Sequence, residues 1–469
     1  MLLDITQEDR QLYVSYYNLN GETRFKIYDL TPDDMYNWEV CDERDKKKDD
    51  KIKNWDGRPV RRVKTRYLNK FRMIEYLDHI SESDKKLIYG YHYPKTYFVD
   101  IEVEVTDEFP EPKQAKNPVT TICIVTPSKQ AIVLATKDLE RSVQAKIEKQ
   151  INDHFEHLGE EFTFHFKVFK TEYDMMYTFL HTFVRKMPMM TGWNYIKFDW
   201  AYIVNRARKL GIDPSVASPI DKLFGKDELP CHVGVMDYLD IYSKWDRTVD
   251  IKEDLKLDTV GDAVVGVKKV KYDGTIQDMY EKDYPKYVFY NAIDTALVYL
   301  IHEKIRTMEI ALTIAHMSQI SIFRAGSPVA ITEALLCREY LSRDLVMAKD
   351  PSAPVQKQTQ FEGAFVKEPT IGMHKAVAAF DFASLYPSIM RQVNVSPENF
   401  IKKVDPSDRK KEEGEGRIVS VTGAVYGTEK SILKEILTTL YNKRKVYKKK
   451  SFELQQRAYD LEQQLKNSN

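Results

Sequence analysis

The sequence predicts a multidomain chain of α/β and α+β class, and three observations carry that prediction. At 469 residues the chain is long enough for about three domains of roughly 150 residues each. From Lys95 onward, strand patterns are followed by helical ones. KTYFVDIEVEV alternates, TTICIVTP and QAIVLAT have the apolar runs of buried strands, and DMMYTFLHTFVRKM spaces its apolar residues as a helix does. Composition agrees: 43% hydrophobic and 30% charged residues exclude disordered and collagen-like chains.

Lys plus Arg and Asp plus Glu both number 71, so overall charge makes no case for a nucleic-acid or membrane partner, and only local clusters can. Cys41, Cys123, Cys231 and Cys337 lie too far apart for a paired-cysteine zinc site. The opening MLLDITQEDR has acids where a secretory signal needs a basic region and an apolar run. No stretch approaches the roughly 20 apolar residues of a membrane span. The expectation is a cytoplasmic chain with reduced thiols and no membrane partner.

Taken in order, residues 1–94 form an N-terminal domain in which QLYVSYYNL and TRFKIYDL are strand candidates. CDERDKKKDDKIKNWDGRPVRRVKTR reads as a solvated loop, with nucleic-acid contact as the alternative. An α/β domain occupies 95–306. Residues 307–352 are helical in period, broken at Gly326-Ser327-Pro328, and serve as scaffold completing the N-terminal domain. A third domain begins at 353–428, where AVAAFDFASLYPSIM is an apolar strand running into a turn and a helix. From 429 to 469 the chain is helical, with Thr428 as N-cap. No repeat with a period of 20–50 residues is present, which disfavours a solenoid.

Asp100 and Glu102, two apart on a strand, project from one face at the end of the apolar run YFV. Acids there are costly without a counter-charge, and Mg²⁺ held by carboxylates and water is the usual compensation. Because Glu104 continues the alternation, a strand with one solvated face is the competing explanation. Two further segments add weight. GWNYIKFDWAYIVNR sets Asn194 and Asp199 around Phe198 where a strand meets a helix, and VFYNAIDTALVYL places Tyr290 and Asp294 one helical turn apart. Two divalent ions about 4 Å apart need several oxygen ligands, and a phenol beside them can orient a water for phosphodiester hydrolysis.

In this order, DIE, NxxxFD and YxxxD resemble the three exonuclease motifs of DnaQ-like proofreading nucleases, in the form found in family B DNA polymerases. The resemblance implies an RNase H-like 3′–5′ exonuclease domain with two Mg²⁺ per active site, Mn²⁺ being a substitute. It assigns metal ligation to Asp100, Glu102, Asp199 and Asp294, and orientation of the water to Tyr290. Asn194 and Phe198 become substrate contacts. Phe198 and Tyr195 are candidates for stacking on bases, core packing being the other role open to Phe198.

An acid following AVAAF is a catalytic position or a turn cap. The whole run FDFASLYPSI, however, resembles motif A of family B polymerases, and with FEGAFVKEP and SLYPSIMRQVNVSPE it is similar to the T-even bacteriophage type. By that resemblance Asp381 binds both catalytic metals, and the turn through Phe382 and Ala383 helps fix one of them. Ser384 and Leu385 contact the incoming dNTP triphosphate, and Tyr386 lies under its sugar, where a ring excludes a 2′-hydroxyl. FEGA, at Phe361 to Ala364, is similar to the family's YxGG-type template contact, with Phe and Ala as departures. In NKRKVYKKK, Arg444 and Lys448 stand at i and i+4 and can reach one anion. A solvated basic face is the ordinary alternative, and position in the chain resembles the first fingers helix, which binds the triphosphate.

The family's DTD palm hairpin and its NSxYG-ending second fingers helix are absent from the sequence. The sequence is therefore expected to be the N-terminal part of a replicative polymerase, either a fragment or one chain of a natural split. A complementary chain would bring the second fingers helix, the DTD hairpin and the thumb, and through it a sliding clamp. The other partners implied are primer–template DNA and single-stranded 3′ ends, in the cytoplasm of an infected bacterium. A stand-alone exonuclease and a non-catalytic nucleic-acid-binding protein are the alternatives.

Overall fold

The structure, a computed structural model, describes residues 1–45, 47–105, 110–245, 254–270, 274–353, 365–382 and 384–468. Contacts divide the chain into two compact units, Met1–Met35 with Tyr76–Ala334, and Tyr36–Glu75 with Leu335–Asn469.

The first unit contains a three-stranded antiparallel sheet of Leu2–Glu8, Gln11–Tyr17 and Thr23–Asp29. It also holds a six-stranded mixed sheet. Its order is Thr163–Val168, Gln130–Ala135, Val119–Val125, Thr96–Val103, Met189–Gly192, Gly234–Asp237. The middle three pair antiparallel, and the outer strands on each side join them in parallel. Val119–Val125 is buried at every residue, as expected of a strand covered on both faces, which explains the consecutive apolar residues Ile122 to Val125.

Alternation along Thr96–Val103 sorts its side chains. Val99, Ile101 and Val103 join a core with Met175, Trp200 and Tyr202, so Asp100 and Glu102 face the other way. On that other face the helix Tyr284–Ile305 packs over Thr96–Val103 and Val119–Val125. One glycine is sterically required here, because a Cβ on Gly192 would lie 2.3 Å from the Val99 carbonyl oxygen.

The second unit holds a four-stranded sheet ordered Leu345–Val346, Lys48–Asn54, Pro59–Lys64, Tyr36–Val40. Much of the charged run expected to be a loop is thus a hairpin. Its strands close on Tyr36, Trp38, Val60 and Val346, and its charges pair across strands. Arg61 stands directly opposite Glu39 and bonds it at 2.6 Å, while Arg62 lies over the rings of Tyr36 and Trp38. Opposite charges in register stabilise a sheet face that composition alone makes look like a solvated coil.

Two other expectations are corrected. Residues 376–380 (AVAAF) form no strand and are exposed, because a strand needs a partner for its ladder bonds and none of the described residues pairs with them. The final helix runs Ile432–Ser468 and is capped by Ser431 rather than Thr428. Ser431 Oγ accepts from Lys434 N at 3.3 Å, and Glu398 Oε1 accepts from Ile432 N at 2.8 Å, placing a carboxylate at the positive end of the helix. Among the described residues no helix is long and apolar enough to cross a membrane. All four cysteines are free thiols.

Candidate active site

Three segments of the first unit bring their acids to one face of the six-stranded sheet. Met189–Gly192 pairs with Thr96–Val103 only as far as Phe98, which leaves the Ile101 N–H without a ladder partner on that side. It donates instead to Asp199 Oδ1 at 3.1 Å. Asp199 is presented by a π-helical turn, Ile196–Trp200, in which Trp200 N donates to Tyr195 O at 2.7 Å. Such widened turns are frequent at functional sites. Asn194, at its entry, adopts φ +60°. Asp237 holds the turn in place: its carboxylate accepts from Ile196 N at 3.0 Å and from Leu239 N at 3.1 Å.

The third segment is the helix Tyr284–Ile305, carrying Tyr290, Asn291 and Asp294. Asn291 Nδ2 donates to Asp100 Oδ2 at 2.8 Å. Lys269 Nζ donates to Asp294 Oδ2 and lies 3.5 Å from the Tyr290 hydroxyl. Asp294 Oδ1 is buried with no partner.

Electrostatics mark the four carboxylates as one group. Burial, then the charge of Asp294, pushes Asp100 up to about 7, against the pull of Lys269 and the Asn291 amide. Glu102 is raised well above the usual range by burial, then by Asp100 and Asp294. Asp199 is raised by burial and by Asp100, with the Ile101 N–H opposing. Asp294 is raised by burial and held down by Lys269 and Tyr290. Although burial alone would lower it, the Lys269 ammonium is held above its usual range by Asp294 and then Tyr290. Tyr290 itself is raised by burial and Asp294, so its hydroxyl stays protonated near neutrality.

A divalent cation suits this donor set. The donors are all oxygen, as hard cations require, the acids outnumber the one ammonium, and Asp294 Oδ1 is an orphan. Among the described residues no three acidic, His or Cys side chains form a ready-made cage, so water would complete the coordination.

Phe198 is half-buried, its ring 6.4 Å from that of Tyr202. Tyr195 is fully buried, its hydroxyl on Met190 Sδ at 3.4 Å. Tyr195 is therefore core, and its expected stacking on bases is corrected: the π-turn directs its ring inward.

In the second unit, Asp381 and Phe382 are exposed in chain without regular structure. Ser384 takes φ +54° before the helix Leu385–Gln392, on which Leu385 and Tyr386 are exposed. Arg444 and Lys448 lie exposed on Ile432–Ser468, Lys448 Nζ being 5.6 Å from the Phe452 ring. Among the described residues, neither Arg444 nor Lys448 shares a hydrogen bond or ion pair with Asp381. Ala383 and the Phe361 to Ala364 segment lie outside the described residues.

Lys269 and Asn291 escaped the sequence reasoning. Lys269 stands in VKKVK, where nothing separates it from its neighbours. Asn291 did leave a signal, as a polar residue inside the apolar helical run VFYNAIDTALVYL. Asp237 left one too, as an acid ending an apolar strand.

A mixed sheet of this order, with acids gathered beneath a long helix, defines an RNase H-like exonuclease domain. Residues 72–226 match the family model described as DNA polymerase family B, exonuclease domain, and residues 318–468 match DNA polymerase family B. The chain belongs to DNA polymerase family B. It is 30% identical to a DNA-directed DNA polymerase of Escherichia phage RB69 over 64% of this chain and 35% of that protein. With the DNA-directed DNA polymerase of Enterobacteria phage T4 it shares 32% identity over 49% of this chain and 26% of the relative. DNA polymerase 1 of Sulfolobus acidocaldarius is 25% identical over 65% of this chain and 35% of its own length. The chain thus spans about a third of the length of these curated relatives.

Proposed function

We propose that the chain is the N-terminal part of a replicative DNA-directed DNA polymerase. It carries a complete 3′–5′ proofreading exonuclease site and half of a polymerase site, which a complementary chain completes. The observation that carries the nuclease half is the gathering of Asp100, Glu102, Asp199 and Asp294 with Tyr290 and Lys269 on one sheet face.

Asp100, Glu102, Asp199 and Asp294 would hold two Mg²⁺ ions, which when bound supply Lewis acidity toward the scissile phosphate and its attacking water. The chain's own residues do the rest. Tyr290, protonated near neutrality, cannot act as a base and instead holds the water by hydrogen bonding. The water oxygen bonds to phosphorus as the bond to the 3′ oxygen breaks, the water's proton passing to solvent and the 3′ oxygen taking one up from solvent, which releases a nucleoside 5′-monophosphate and a 3′-hydroxyl end. Lys269 keeps Asp294 paired and adds positive charge facing the phosphate. Asn194 and Phe198 contact the terminal nucleotide.

In the polymerase half, Asp381 and the main chain at Phe382 are metal ligands, Ser384, Leu385 and Tyr386 seat the dNTP, and Arg444 with Lys448 bind its triphosphate. The domain division is 1–94 with 307–352, 95–306, 353–428 and 429–469. Exposed apolar side chains support a second chain: Phe365, Ile371, Met373 and Phe380 near motif A, and Tyr447, Leu454, Leu461 and Leu465 along the last helix. That chain would carry the DTD hairpin, the second fingers helix, the thumb and contact with a sliding clamp, in the cytoplasm of the infected host.

A gel assay with 5′-labelled DNA and Mg²⁺ tests the reading. Shortening of a single strand by this chain, abolished by Asp100→Ala with Glu102→Ala, is the expected result. Undiminished digestion by that double variant overturns the site, and retention of DNA without turnover favours a binding protein.

A further inference from the structure

Asn291 lies on the helix Tyr284–Ile305 between Tyr290 and Asp294, fully buried. Its amide nitrogen donates to Asp100 Oδ2 at 2.8 Å, while its Oδ1 is buried with no partner. A buried carbonyl left unpaired costs about 1–3 kcal/mol, which offsets what the hydrogen bond to the Asp100 carboxylate contributes, so stability alone does not call for an amide at this position. What the amide adds is geometric. An NH₂ group can only donate, and here it occupies one carboxylate oxygen of Asp100. No protein donor reaches Asp100 Oδ1 among the described residues.

The surroundings reinforce this arrangement. Thr295 Oγ1 donates to the Asn291 main-chain oxygen at 2.8 Å. Cys123 stands directly opposite Asp100 in the strand register. The helix packs over this strand, and the Asn291 amide is its hydrogen bond to the Asp100 carboxylate.

We propose that Asn291 is a positioning residue of the exonuclease. It clamps Asp100 in the rotamer that turns Oδ1 toward the divalent cation, and so sets the affinity of the site for that ion. This deepens the function proposed above and rests on Asp100 being a metal ligand. Hydrogen-bond partners of metal ligands typically contribute 10- to 100-fold in metal affinity or activity.

The test measures Mn²⁺ binding to the full chain by calorimetry, together with the melting temperature with and without Mn²⁺. Wild type is compared with Asn291→Leu, Asn291→Ala and Asp100→Ala. Asn291→Leu should weaken Mn²⁺ binding about tenfold or more and shrink the melting-temperature rise that Mn²⁺ produces. Its metal-free melting temperature should stay close to wild type, because the orphaned carbonyl and the hydrogen bond to Asp100 are lost together and their costs are of similar size. Asn291→Ala should weaken binding similarly whatever its stability. In exonuclease assays the metal concentration for half-maximal rate should rise by the same factor, while kcat at saturating Mn²⁺ falls only a few-fold.

Wild-type Mn²⁺ affinity in both Asn291 variants, with binding lost in Asp100→Ala, overturns the inference and leaves the metal site standing. Wild-type affinity in Asp100→Ala overturns the metal site itself. Failure of both Asn291 variants to fold would make Asn291 a structural residue and also overturn the inference.

Discussion

Replacing Lys269 with Met removes the ammonium from the four-acid site while keeping most of the aliphatic stem. In the native chain its Nζ bonds Asp294, with side-chain exposures of 29% and 5% for the two partners. Removing one member of a buried ion pair costs about 3–5 kcal/mol, because the other charge is left uncompensated. Water reaches part of Lys269, which screens the pair and favours the lower end, about 3 kcal/mol. At about 2 °C per kcal/mol for a large unit, the metal-free melting temperature should fall by about 6 °C. Added Mn²⁺ supplies the missing positive charge, so it should raise the melting temperature of Lys269→Met more than that of wild type. Calorimetry with and without chelator reads both quantities. An unchanged metal-free melting temperature would refute the idea that Lys269 compensates the acids. A smaller response to Mn²⁺ in the variant than in wild type would refute the idea that ammonium and metal answer the same charge.

The metal-free chain should lose stability as pH rises from about 4 to about 7. Asp100 sits at about 7 when folded against about 3.9 when unfolded, so the unfolded state releases its proton first and folding is penalised through that window. Denaturant titrations at pH 4.5 and 7.5 check the sign, and greater stability at pH 7.5 would contradict it. Gly192→Ala should destabilise the exonuclease unit and lower its activity, since the new Cβ would meet the Val99 carbonyl at 2.3 Å; wild-type melting and digestion would show that the strand end can shift freely. Under the split proposed above, Asp381→Ala should leave exonuclease activity intact and abolish the primer extension that a complementary chain restores, and surviving extension would show the polymerase site to be elsewhere.

Much of the candidate site's grouping of side chains was legible because each segment announces itself locally. An acid two residues from another on an alternating strand must share its face, and Tyr290 and Asp294 one turn apart must share a helix face. Lys269 was not legible, since its significance comes from a contact with Asp294 across 25 residues, and a lysine among lysines carries no period. The charged hairpin was misjudged for a related reason. Its stability lies in pairings such as Arg61 with Glu39, which composition reads only as solvated charge. The 376–380 run failed in the opposite direction: its apolar pattern was correct for a strand, but a strand is a property of two segments.

The widened turn Ile196–Trp200 has a consequence for how the chain can vary. A π-turn holds one more residue than an α-turn, and successive residues in a regular helix are rotated by about 100°. Deleting one residue there would give an ordinary helix with a better hydrogen-bond ladder. Asp199 would nevertheless swing away from the Ile101 N–H. Substitution of Lys197, the turn's exposed residue, should be accepted freely, whereas a change of length by a single codon should not. The site is thus guarded at this point by residue count, a constraint that substitution scanning would miss and deletion scanning would reveal.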